Sequence, residues 1–125
     1  MELTETEKLM LVGKKEEIRK LTEEIIQLTN DIETSRIEIK KRIQGILSLI
    51  STLASYTNSK LDIQAFVGMA TCINHFLDKD MCLKKPLKTM LGLFCSTANT
   101  ITFNFTKKGL TIIVPKIDLT LFNGG

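Results

Sequence analysis

A chain of 125 residues makes one ordinary domain, or a smaller domain joined to something extended, and 43% apolar with 25% charged residues exclude wholesale disorder. No stretch nears the roughly 20 uninterrupted apolar residues of a membrane span, the Glu-rich start lacks the layout of a signal peptide, and Cys72, Cys82 and Cys95 are too sparse for a disulfide-stapled secreted scaffold. The expectation is an intracellular protein, cytoplasmic or nuclear, with reduced thiols and no membrane partner.

The net charge of +3 conceals an asymmetry. Residues 1–57 hold nine Lys/Arg against ten Asp/Glu, and residues 58–125 hold eight against four. A basic C-terminal half is compatible with a nucleic-acid or acidic-protein partner, but such an excess is common in proteins that bind neither.

Thr4 and Glu7 have the spacing of a capping box and mark a helix start. Between Lys14 and Gln44 there is neither Pro nor Gly, so a single helix is expected from the start to about Thr57, roughly 65 Å long between Lys14 and Thr57 at about 1.5 Å per residue. Leu11, Ile18, Ile25, Ile32, Ile39, Ile46 and Leu53 recur every seventh position along it. With Leu21, Leu28 and Leu49 they form a heptad seam, which Ser35 and Arg42 interrupt in the second column. A projecting helix of this kind buries its seam only against another helix, so the expectation is a homo-oligomer, a parallel dimer. After Ile37 the apolar stripe widens through Ile43, Leu47 and Ile50, so the end of the helix is expected to pack against the C-terminal half.

Asn58 and Ser59 break the pattern. Ile63, Phe66, Ala70, Ile73 and Leu77 then return at helical spacing and predict a helix from about Lys60 to Leu77. A polar link leads to a helix opening at Pro86 and running to about Thr97, apolar nearly all round. Beyond Asn99 the period becomes two. Ile101, Phe103 and Phe105, the turn Lys107-Lys108-Gly109, and Leu110, Ile112 and Val114 predict a β-hairpin, with Ile117, Leu119 and Leu121 as a third short strand. The fold class expected is α+β and predominantly helical: a coiled-coil stalk over 1–57 and a small head over 58–125.

Chemistry is scarce. Cys72, His75, Cys82 and Cys95 have the residue types of a Cys3His zinc site, but the tight Cys-x2-4-Cys spacing is missing, and buried cysteines explain them better. Cys72 and His75 share a helix face without an orienting third group, and no glycine-rich phosphate loop exists, Gly68 and Gly92 reading as close-packing positions. No catalytic residue, metal or cofactor is expected. The expected function is therefore non-enzymatic: a homo-oligomer whose head binds a protein partner as an adaptor or structural module. The alternative is a dimeric winged-helix-like DNA-binding regulator, because three helices and a hairpin follow that order. Lys84, Lys85 and Lys88 would then approach phosphates and Lys107-Lys108 would form the wing.

Overall fold

The computed structural model describes residues 3–56, 61–78, 84–106 and 109–115. Helix α1 spans Glu5–Leu28 and α2 spans Ile32–Ala54, joined by a single 3-10 turn at Thr29–Asp31; α3 is Leu61–Asp78 and α4 Lys84–Asn99. Strands β1 (Thr102–Thr106) and β2 (Gly109–Ile113) form a two-stranded antiparallel sheet. The class is helical with a small sheet, as the periodicities predict. Among the described residues no helix is long and apolar enough to cross a membrane.

The capping box forms as its spacing predicts. The Glu7 amide donates to Thr4 Oγ1 at 3.1 Å, and the Thr4 amide donates to Glu7 Oε1 at 3.0 Å. The expected single helix, however, does not run straight through. Asp31 leaves the helical region at φ −141°, ψ 79°, and its carboxylate accepts the Thr34 amide at 3.3 Å, starting a new helix. Just before it, the Thr29 hydroxyl donates back to the Ile26 carbonyl at 2.6 Å. Thr, Asn and Asp in succession compete with the helix for backbone groups, which breaks it without any Gly or Pro.

At this break the chain doubles back. Arg42 Nε donates to Glu24 Oε2 at 3.2 Å, whereas one continuous helix would hold the two residues about 27 Å apart. A Cβ on Gly45 would lie 3.2 Å from Leu21 Cδ1. Residue 24 thus faces 42 while 21 faces 45, so α1 and α2 are antiparallel. At Gly45 a larger residue would press on the Leu21 side chain, which would have to give by a few tenths of an ångström.

This hairpin covers the heptad seam. Leu11, Ile18, Ile25, Ile32, Ile39, Ile46 and Leu53 are all buried within one chain, and Leu21, Leu28 and Leu49 pack partly buried against them. The inference that the seam requires a partner chain is therefore corrected: α1 and α2 are each other's partners. The parallel coiled coil built on that inference has no seam left to use.

The wide stripe of α2 meets the C-terminal helices, as its width predicts. Ile43 and Ile50 are buried, and Ile50 closes a small apolar space with Ile63, Phe66, Ile101, Ile112 and Val114. Phe66 of α3 stacks on Phe94 of α4 with ring centroids 4.8 Å apart, both fully buried. The Lys40 ammonium of α2 pairs with Asp78 at the end of α3. On the other side α4 packs along α1, where the buried Thr22 hydroxyl lies 2.6 Å from the Arg19 carbonyl and 2.9 Å from Asn99 Oδ1. One apolar cluster runs from Leu3 to Val114, across the division expected at residues 57 and 58.

The sheet pairs Phe103 with Ile112 and Phe105 with Leu110, placing these four on the face that adds to the core. Gly109, the first residue of β2, has φ 124°, a backbone conformation that suits glycine. Lys15 Nζ stands 5.3 Å from the centroid of the Phe103 ring, tying the sheet to α1. The third strand expected at Ile117, Leu119 and Leu121 lies outside the described residues.

Candidate interaction surface

The heptad positions proposed for oligomerisation form the interior of the α1–α2 hairpin, so they hold the chain to itself. Arg42, one of the two residues that interrupt the second column, has a definite task there. Its guanidinium spans the hairpin, reaching Glu24 of α1 and, at 2.9 Å, Glu38 of its own helix. Glu38 sits below its usual carboxylate value, first because Arg42 donates to it and then because of the charge of Lys41. Arg42 is raised above its ordinary value chiefly by the same hydrogen bond.

The lysines of the nucleic-acid alternative are only partly placed. Lys88 is exposed near the start of α4; Lys84 and Lys85 belong to its first turn, but their side chains lie outside the described residues, as do Lys107 and Lys108. The outward face of α4 carries Lys88, Thr89, Gly92 and Ser96, more polar than its composition suggests. Gly68 and Gly92 are not close-packing positions: a Cβ at either would meet nothing within 4 Å.

The cysteine and histidine set does not come together as a described site. Cys95 is buried on α4, and burial pushes its thiol up to about 12, which leaves no thiolate for nucleophilic chemistry at neutral pH. His75 is exposed on α3, edge-on to Phe76, and Cys82 lies outside the described residues. Among the described residues no group of three or more His, Cys, Asp or Glu is placed to hold a metal.

The surface that sequence reading passed over is the outer face of α1. Leu9, Val12, Glu16, Arg19, Glu23 and Ile26 follow one another at spacings of three and four, and so share a side of the helix. Leu9 is 73%, Val12 50% and Ile26 49% exposed, while the opposite side of α1 is buried. In the middle of the stripe Arg19 clasps two carboxylates: Nε lies 2.8 Å from Glu16 Oε1, and one terminal nitrogen bonds Glu23. The hydrogen bond from Arg19 holds Glu16 below its ordinary value, and Arg19 is raised chiefly by that same bond to Glu16. Beside the stripe a groove of about 680 Å³ opens between Val12, Arg19 and Glu23 of α1 and Ala98 and Asn99 at the end of α4. The three-four spacing is visible in the sequence, but the stronger isoleucine column on the same helix masks it.

A smaller cavity of about 310 Å³ lies between α2 and α3, beside Ile37, which is 69% exposed. Of the basic residues that line it, Arg36, Lys40 and Lys41, the two lysines are paired with Asp78 and Glu38. Comparison of the chain with models of protein families, with curated proteins and with solved structures finds no match.

Proposed function

We propose that this chain is a non-enzymatic protein-interaction module whose contact surface is the outer face of α1 with the adjoining groove at the end of α4. The observation that carries the reading is the exposure of Leu9, Val12 and Ile26 on a helix whose other side is fully packed. Large apolar side chains at the two ends of one exposed helix stripe, with charged groups between them, suit a docking face, since covering them removes apolar area from water at little cost in ordering. The α1–α2 hairpin provides rigidity, and the buried Thr22 between Arg19 and Asn99 fixes α4 against α1 at the groove.

Site-specific photo-crosslinking in the protein's own cells tests this. A benzophenone amino acid at Val12 should give a discrete protein adduct, while the same group at the exposed Thr71 of α3 should not. Equal or absent adducts at both positions would overturn the reading.

A nucleic-acid reading keeps one supporting observation, the polar outward face of α4 beginning at Lys88. It requires duplex binding that weakens steeply with salt, losing several-fold or more in affinity between about 50 and 200 mM. Fluorescence anisotropy that shows no binding at low salt would remove it.

A further inference from the structure

We infer that a second copy of this chain docks on the outer face of α1 in antiparallel orientation, forming a two-fold symmetric dimer. This rests on the interaction-module reading and names its partner. The stripe is apolar at both ends, with Leu9 and Val12 at one and Ile26 at the other, and charged between. A two-fold axis crossing α1 between Glu17 and Ile18 brings Leu9 opposite Ile26 of the second copy. The same operation sets Glu16 opposite the second Arg19, and Arg19 opposite the second Glu16. The pattern is thus its own complement, which is what an isologous interface demands.

Orientation follows from the charges. In a parallel pair each stripe residue would meet its own copy, stacking Arg19 on Arg19, Glu16 on Glu16 and Glu23 on Glu23, and like charges across a helix interface are repulsive. In the antiparallel pair Arg19 gains a carboxylate of the second chain while keeping Glu16 and Glu23 of its own. Glu23 lies opposite Val12, where its carboxylate remains on Arg19 and its aliphatic stem covers the valine. From Leu9 to Ile26 the contact is about 26 Å long. A contact along one helix stripe is small for a specific interface, and a weak, reversible dimer with a dissociation constant on the order of micromolar is expected.

The full chain should therefore sediment as a monomer at low concentration and approach the mass of two chains as concentration rises. Arg19→Glu should weaken association by at least about tenfold, and Glu16→Arg likewise, because each sets like charges face to face. The double variant Glu16→Arg with Arg19→Glu swaps the pair and should regain most of the lost affinity. Circular dichroism melts on all three should remain cooperative, which separates loss of association from loss of fold. In the wild type a benzophenone at Leu9 should crosslink to the second chain near Ile26, in mixed isotope-labelled samples that separate inter-chain from intra-chain adducts. A monomer at every accessible concentration would overturn the inference, as would association indifferent to Arg19→Glu, failure of the swap to restore it, or adducts that join Leu9 to Leu9 or to the same chain. An adduct from Val12 to a different protein, with no self-association, would leave the interaction-module reading standing and remove only this one.

Discussion

At the scale of single residues, Arg42 shows how one side chain can be misread from its column. Its place in the heptad marks it as a flaw in an apolar seam, yet its side chain is only 26% exposed and its guanidinium ties α1 to α2 through Glu24. The aliphatic stem packs in the hairpin while the head bonds both glutamates, so removing it loses contact as well as charge. Arg42→Ala should lower stability by about 1 kcal/mol in urea unfolding at neutral pH. Part of that difference depends on pH. Because Arg42 holds Glu38 below its ordinary carboxylate value, the native state binds fewer protons than the unfolded chain as pH falls through the carboxylate range. The contribution is present above the ordinary value of 4.5 and is lost as pH falls through the lowered native value. The gap between wild type and Arg42→Ala should narrow accordingly in acid, and a gap constant from neutral pH to well below 4.5 would contradict the pairing. Thr4 and Glu7 were legible because both halves of a capping box are local in sequence. Arg42 was not, because its cross-helix partner is 18 residues away.

At the scale of elements, period and spacing carry most of what the chain contains. α3, α4 and the β-hairpin lie within a few residues of their expected limits, since each is set by a local alternation of apolar and polar positions. The turn between α1 and α2 was missed because the usual breakers, Gly and Pro, are absent from it. The stop signal is Thr29-Asn30-Asp31, residues that bond their own backbone, with Asp31 capping α2 through the Thr34 amide. Asp31→Ala should therefore cost about 1 kcal/mol, the usual loss for an N-cap, measured as a lower urea midpoint. In α3, Gly68 is exposed and a Cβ there meets nothing within 4 Å. Gly68→Ala should then stabilise by up to about 1 kcal/mol through helix propensity and raise Tm by a few degrees; a fall in Tm would mean that the position is not open.

At the scale of the whole molecule, the seven-residue column is a core and not an edge. A heptad pattern reports that a helix face is buried against another helix, and it is silent on whether that helix belongs to the same chain. The stripe at Leu9, Val12 and Ile26 is the face left over once the seam closes on itself; its spacing is present in the sequence, but its exposure follows only from the fold. The consequence for mutation is sharp. In a projecting stalk, Ile25→Asp with Ile32→Asp would separate chains and leave them folded. In this fold the double variant buries two unpaired carboxylates, each costing several kcal/mol against a typical total of about 5–15 kcal/mol, so the chain should lose its cooperative melting transition. A folded, monomeric double variant would show that the column is not interior.

The hairpin itself can be measured directly. Glu17 on α1 and Ser48 on α2 are both exposed, and nitroxides attached there by azide chemistry leave the cysteines untouched. Pulsed electron-electron resonance on labelled protein diluted with unlabelled chains reads the distance within one molecule. Antiparallel helices with axes about 8–10 Å apart predict a narrow distribution near roughly 20 Å. One continuous helix would place the two positions about 47 Å apart, and a distribution centred there would contradict the fold on which the rest is built.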